Sequence, residues 1–211
     1  LLYGIAYLHR WTRHRMRFPN PDRELILSRH ERSRVLTQNE VRKLWAVMSE
    51  ELKDQFVLAL ECCMRKGEIF KLRWEQVGLK KGIVYLKAED VKTGSQTGHG
   101  REFKLSRLAF TRLLARSGGN SPYVFPSRFD PLKPRTDNRR AWGNALKNAK
   151  INGKVRWHDL RHTSISNLIL KFHRDPILVG EYAGLAVKTI QRVYLHSDAE
   201  STASCAVSQI S

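Results

Sequence analysis

Residues 82 to 106 read GIVYLKAEDVKTGSQTGHGREFKLS. β-branched and aromatic side chains stand on both sides of a glycine-rich centre, GSQTGHG, the pattern of two strands flanking a hairpin. It is the only clear β segment of the sequence. Everywhere else apolar residues return at intervals of three and four: SRLAFTRLLARS, DNRRAWGNALKNAK, DLRHTSISNLILKF, DPILVGEYAG and KTIQRVYLH all carry the helical period. The expected fold is therefore mainly α with a small antiparallel β-sheet, an α+β domain, with Lys92 on its hairpin.

Towards the N-terminus, LTQNEVRKLWAVMSEEL places Thr37 as an N-cap with Glu40 three residues on, the capping-box arrangement. DQFVLALECCMRKGEIFKLRW predicts a buried helix broken at Gly67 and followed by another short helix. Before this, residues 1 to 13 have helical spacing and RHRMRFPNPDREL brings two prolines and a dense basic run. Residues 1–33 thus read as the end of a preceding domain and a linker, 34–196 as the main domain, and the small, polar 197–211 as a tail. The absence of an initiating Met predicts a start further upstream.

Lys and Arg outnumber Asp and Glu by 38 to 20, a formal charge of +18. Solubility alone calls for a charge of about 2 to 8 on a small domain. The surplus repels itself unless an anionic partner offsets it, which points to nucleic acid. The cysteines are Cys62, Cys63 and Cys205, an odd set with two adjacent; this is no disulfide framework and fits a reducing cytoplasm. No apolar run approaches the ~20 residues needed to cross a bilayer, so no membrane partner is expected. The sequence has no GxxxxGK[ST] loop, HExxH, CxxC pair or EF-hand run, so neither ATP nor a metal is expected as cofactor. His158 and His162 stand at i, i+4, but no third ligand accompanies them and Arg161 lies between.

What remains is a basic set suited to a phosphodiester: Arg65 in MRKGE, Lys92 in VKTG, His158 and Arg161 in HDLR, then Tyr194. Two guanidiniums fork onto non-bridging oxygens and stabilise a pentacoordinate transition state without a metal. A hairpin lysine reaches a leaving oxygen as proton donor, and a histidine three residues before an arginine shares its helical face. A phenol with an ordinary pKa near 10 needs a base or a strongly cationic pocket to act as nucleophile. Taken singly, each residue has a plainer use. Among 38 basic residues an arginine is usually solvated or clamps backbone, a tyrosine at helical spacing usually packs, and His158 after Trp157 caps a helix. Their order and setting together point to chemistry on a phosphate.

These segments resemble the catalytic domain of the tyrosine recombinases, the phage-integrase family of site-specific DNA recombinases, over roughly residues 34 to 196. LTQNEVRKLW is similar to the way such domains begin. MRKGEIFKLRWEQV resembles the segment bearing the first catalytic arginine, here Arg65, with Glu68 as its acidic support. VKTG matches the lysine hairpin (Lys92), WHDLRHT the His-x-x-Arg box (His158 and Arg161), and GLAVKTIQRVYLH the segment ending in the nucleophile, Tyr194. The resemblance implies strand cleavage through a covalent 3′-phosphotyrosyl link, without ATP or metal. It also implies double-stranded DNA as partner, a homo-oligomer on that DNA (a tetramer in the family), a tail exchanged between neighbours, and a DNA-clamping domain preceding residue 34.

One position departs. Nine residues before the tyrosine the family places His, or Trp, after a glycine, whereas here Leu185 follows Gly184. Leucine donates no hydrogen bond. The departure leaves, beside a weakened recombinase, the reading of a DNA-binding protein on the same scaffold; the shared chemistry leaves another, a type IB topoisomerase-like enzyme that rejoins the strand it cut.

Overall fold

The structure, a computed structural model, describes residues 34–91, 98, 100–171, 174–185 and 189. Lys92, Tyr194 and the segments 1–33 and 197–211 lie outside the described residues.

Helix α1 (Gln38–Val47) starts where the sequence places it. The Thr37 side chain accepts from the Glu40 backbone N–H while Glu40 Oε2 accepts from the Thr37 N–H at 2.9 Å, completing a capping box that contributes about 1 kcal/mol. Helix α2 (Glu50–Glu61) starts at Ser49 and runs through the core. Phe56, Val57, Leu58 and Ala59 are buried in succession, which a helix achieves only when covered on every side. It packs on α3 (Lys66–Lys71), on α4 (Arg107–Arg116) and on α6 (Asp159–Ser166), while α1 packs on α5 (Arg139–Asn148).

The break expected at Gly67 is instead at Cys63. Helix α2 ends at Glu61, Cys63 takes a left-handed φ of 53°, and Gly67 lies inside α3. Glycine in a helix costs only about 1 kcal/mol relative to alanine. The turn is fixed by tertiary hydrogen bonds to Cys63, described below, and these have no local signature.

Strands β2 (Ile83–Leu86) and β3 (Arg101–Lys104) pair antiparallel, as their alternation predicts, with Val84 opposite Phe103 and Leu86 opposite Arg101. A two-residue strand, β1 (Val77–Gly78), joins the other edge of β2; it is too short to show a period and escapes sequence reading. Val84, Leu86, Arg101 and Phe103 form the buried face, so an arginine shares the inward side of the sheet with apolar residues. The link between β2 and β3 carries a 3₁₀ turn, Ala88–Asp90, where Asp90 accepts from Gln76 Nε2 at 2.6 Å.

Helix α6 continues into a π-helical turn, Asn167–Lys171, and α7 (Pro176–Ala183) follows. Asp175 caps α7, its carboxylate accepting from the Ile177 N–H at 2.7 Å, with Pro176 at the first helical position. One apolar cluster surrounds α2; a smaller one joins Cys63 to Ile165, Leu168, Ile169, Val179 and Ala183. Tyr182 packs against both and meets Phe103 edge to face at 5.7 Å. The turn after α2, the start of α6 and the end of α7 are thereby brought together over the small sheet. Among the described residues no helix is long and apolar enough to cross a membrane.

Candidate active site

Helix α7 ends at Gly184, which adopts the left-handed conformation with φ 62° and ψ 48°. The Gly184 N–H donates to the Glu181 carbonyl at 3.0 Å and the Leu185 N–H to the Gly180 carbonyl at 2.8 Å. This is a Schellman closure, which favours an apolar residue at the second position beyond the helix. Leu185 fills it, half-buried against the smaller cluster. The leucine at the departing position therefore has a packing role that the local backbone demands.

The last carbonyls of α7 carry the negative end of the helix dipole, and two of the sequence-predicted arginines converge on them. Arg65 Nη2 donates to the Gly184 carbonyl at 2.5 Å, and Arg161 Nη2 donates to the Ala183 carbonyl. Arg161 Nη1 also donates to the carbonyl of Cys63, and the Cys63 thiol lies 3.0 Å from Ser164 Oγ, one turn after Arg161. These bonds hold the strained Cys63 turn against α6.

Arg65 occupies the N-cap position of α3 with extended backbone. Glu68, at the third position of that helix, reaches back: Oε2 accepts from the Arg65 N–H at 2.7 Å and Oε1 from Arg65 Nη1 at 2.8 Å. A single buried carboxylate thus fixes both backbone and side chain of Arg65. Arg65 keeps 19% of its side-chain area exposed, whereas Arg161 is only 3% exposed. Of the expected pair, Arg65 is open to an incoming anion and Arg161 stands behind it, closed on two carbonyls. Burial, then the positive charge of Arg65, lowers the pKa of the Arg161 guanidinium.

His158 stands at the N-cap position of α6, but its side chain makes no cap bond, so the capping use weighed from sequence is not the one it has. Its ring meets His162 at 4.8 Å, nearly perpendicular. Withdrawal from bulk water, followed by the neighbouring His162 and Arg161 charges, pushes its pKa down toward about 4. The residue keeps an exposed edge, where solvent screens part of this effect; the imidazole is neutral at pH 7. Among the described residues no group of three or more His, Cys, Asp or Glu side chains could hold a metal.

Arg65, Glu68, His158, Arg161 and Leu185 are thus brought to one place, and Lys92 and Tyr194 lie outside the described residues. Tyr182, the other tyrosine near this segment, is half-buried, and burial holds its phenol well above the usual range, a poor state for a nucleophile. Sequence reasoning missed Arg101, whose Nη1 donates to Glu68 Oε1 at 3.3 Å from the buried face of β3. The signal was in REFKLS: period-two alternation puts Arg101 in phase with Phe103, and an arginine facing a core needs an anionic partner. Two guanidiniums, those of Arg65 and Arg101, share the Glu68 carboxylate, and that of Arg161 lies nearby on the Cys63 and Ala183 carbonyls. The cluster carries surplus positive charge in a partly dry setting, which suits an anion.

Residues 34–201 match the sequence model of the phage integrase family. The shufflon-specific DNA recombinase of Escherichia coli is 35% identical over 158 residues, covering 74% of this chain and 37% of that protein. The integrase of Salmonella phage P22 is 29% identical over 152 residues, covering 67% of this chain and 38% of its own length. Among solved structures, the Tn1549 transposon integrase in complex with a circular intermediate DNA shares the fold with a TM-score of 0.64 at 14% identity, over 78% of this chain and 62% of that one. The chain spans less than two fifths of the length of these two curated relatives.

Proposed function

We propose, from the premise that this chain belongs to the phage integrase family, that it is the strand-cleaving part of a site-specific DNA recombinase. The observation that carries the reading is the convergence of Arg65 and Arg161 on consecutive carbonyls at the end of α7. There, surplus cationic charge lies next to the start of the segment that leads, in sequence, to Tyr194. In this reading a phosphate docks against the exposed side of Arg65, with neutral His158 as hydrogen-bond donor and Arg161 as charge behind it. The Tyr194 phenolate forms the new P–O bond while the 5′-oxygen leaves and takes a proton from Lys92. A 5′-hydroxyl from a partner strand then attacks the 3′-phosphotyrosyl link, returns its proton to Lys92, and releases the tyrosine. Each bond broken is matched by one of similar energy, so the cycle is closed without ATP.

Double-stranded DNA is the proposed partner. Exchange between two duplexes calls for several copies on paired sites, in keeping with a homo-oligomer on DNA and with residues 197–211 as a tail reaching a neighbour. Residues 1–33 are assigned to the end of a DNA-clamping domain, 34–196 to the catalytic domain, and the setting is a reducing cytoplasm. The E. coli relative is named for DNA recombination, which supports exchange over simple relaxation.

A randomised pool of nicked duplexes, in which the short fragment bearing the freed 5′-hydroxyl diffuses away, tests the chemistry. The wild-type chain should become covalently linked to a subset of the pool and Tyr194→Phe should not. A wild-type protein that binds duplex but never forms the adduct would identify a DNA-binding protein on this scaffold.

A further inference from the structure

Arg101 is 9% exposed and lies on the inward face of β3, its guanidinium 4.4 Å from the centre of the Phe103 ring. Nη1 reaches Glu68 Oε1, whereas Nε and Nη2 are buried and have no hydrogen-bond partner. A β-carbon built on Gly184 would fall 2.4 Å from Arg101 Nη1 and 2.7 Å from its Cδ; the arginine lies directly under the turn whose carbonyl Arg65 holds.

Stability does not account for this side chain. A buried guanidinium with two unpartnered donors costs free energy, and an apolar residue of similar length, in phase with Phe103, would pack there at no such cost. What the arginine changes is the charge balance of Glu68. Without Arg101, Glu68 Oε1 is shared with no second cation and the carboxylate cancels the charge of Arg65. With Arg101 present, the carboxylate is offset from below and the positive charge of Arg65 stays available to an anion above.

We infer that Arg101 is a positioning residue for the proposed strand cleavage: from beneath the Ala183–Gly184 turn it holds Glu68 and leaves the Arg65 guanidinium in place and uncancelled for the scissile phosphate. The inference rests on the reading given under Proposed function, and it goes beyond it by giving a role to a residue that touches neither phosphate nor nucleophile.

The test uses the 211-residue chain and nicked duplexes enriched from a randomised pool by covalent capture on the wild-type protein. Single-turnover adduct formation, duplex binding and thermal melting are measured for wild type, Arg101→Met, Arg101→Gln and Arg101→Lys. Arg101→Met should melt no lower than wild type, bind duplex equally well within about twofold, and form adduct at least about tenfold more slowly. Arg101→Gln, which keeps a hydrogen bond to Glu68 without the charge, should be similarly slow, and Arg101→Lys should recover most of the rate. Adduct formation at wild-type speed by a folded Arg101→Met overturns the inference while strand cleavage stands. Should Arg101→Met melt early, Arg101→Gln decides in its place, and wild-type speed there overturns it equally. No adduct from wild type at any sequence in the pool overturns both.

Discussion

The Gly184 carbonyl accepts a hydrogen bond from Arg65, a residue 119 positions earlier in the chain. The contact ties a helix end, a left-handed glycine and a partly exposed guanidinium into one unit. Changes in that unit should separate effects on chemistry from effects on folding.

Gly184→Ala should be harmful for two independent reasons. The φ of 62° disfavours any β-carbon by about 1 kcal/mol, and the added atom would meet Arg101 Nη1 at 2.4 Å. A loss of about 2 kcal/mol or more is expected, read as a melting temperature lower by about 4 to 8 °C. Gly67→Ala is the contrast. Gly67 is exposed inside α3 and a β-carbon there meets nothing within 4 Å, so alanine should raise stability by about 0.5 to 1 kcal/mol. Equal melting shifts in the two variants would contradict the backbone geometry described for both.

Two kinds of buried arginine contact should respond differently. Asp54 accepts from Arg116 Nε at 2.9 Å and from Arg112 Nε. Asp54→Ala should cost about 2 kcal/mol, the partly exposed arginines being rescued in part by water, with adduct formation per folded molecule unchanged. Arg65→Ala should also lose some stability, because the buried Glu68 loses a partner, but its adduct formation per folded molecule should slow by about 100-fold or more. Denaturant titration alongside single-turnover kinetics distinguishes the two. An Arg65→Ala variant that cleaves normally would move the phosphate elsewhere.

The sign of the His158 effect on stability follows from its lowered pKa. In the unfolded chain the imidazole takes up a proton near pH 6.5, whereas in the folded protein it resists until about pH 4. Stability is therefore undiminished by this group above pH 6.5 and falls as the pH is lowered from there toward 4. His158→Gln should flatten that part of the stability profile, measured by denaturant unfolding between pH 7 and 4.5. A profile of unchanged slope would show that His158 titrates normally in the fold.

Leu185 is half-buried and its N–H closes the Schellman turn. Histidine keeps the backbone bond but loses part of the apolar contact, so Leu185→His should lower stability by about 1 kcal/mol. Set beside the two guanidiniums, the new N–H should speed adduct formation about tenfold. A folded variant that is no faster would mean that this position faces only the core.

Salt should weaken duplex binding steeply, because the chain carries a formal charge of +18. Log K should fall by about 0.9 per decade of salt for each phosphate neutralised. Filter binding over a range of salt concentrations measures the slope, and a flat profile would remove duplex DNA as the partner.

Local and pairwise features were legible in the sequence by itself. Thr37 and Glu40 announce a helix start because a capping box is made by residues three apart. The strand alternation in GIVYL and REFKL appears because every second side chain meets the same face. The order of Arg65, Glu68, His158 and Arg161 marks the candidate site because those residues sit in short, specific motifs. Only the tertiary structure decided which groups each guanidinium meets. Arg161 closes on the carbonyls of Cys63 and Ala183, Arg65 on that of Gly184, and Arg101 on Glu68. The break at Cys63 rather than Gly67 belongs to the same class, since its left-handed turn is held by a bond from α6. Backbone carbonyls have no letter of their own in a sequence, so contacts made to them across the chain become visible only when the helix ends are placed in space.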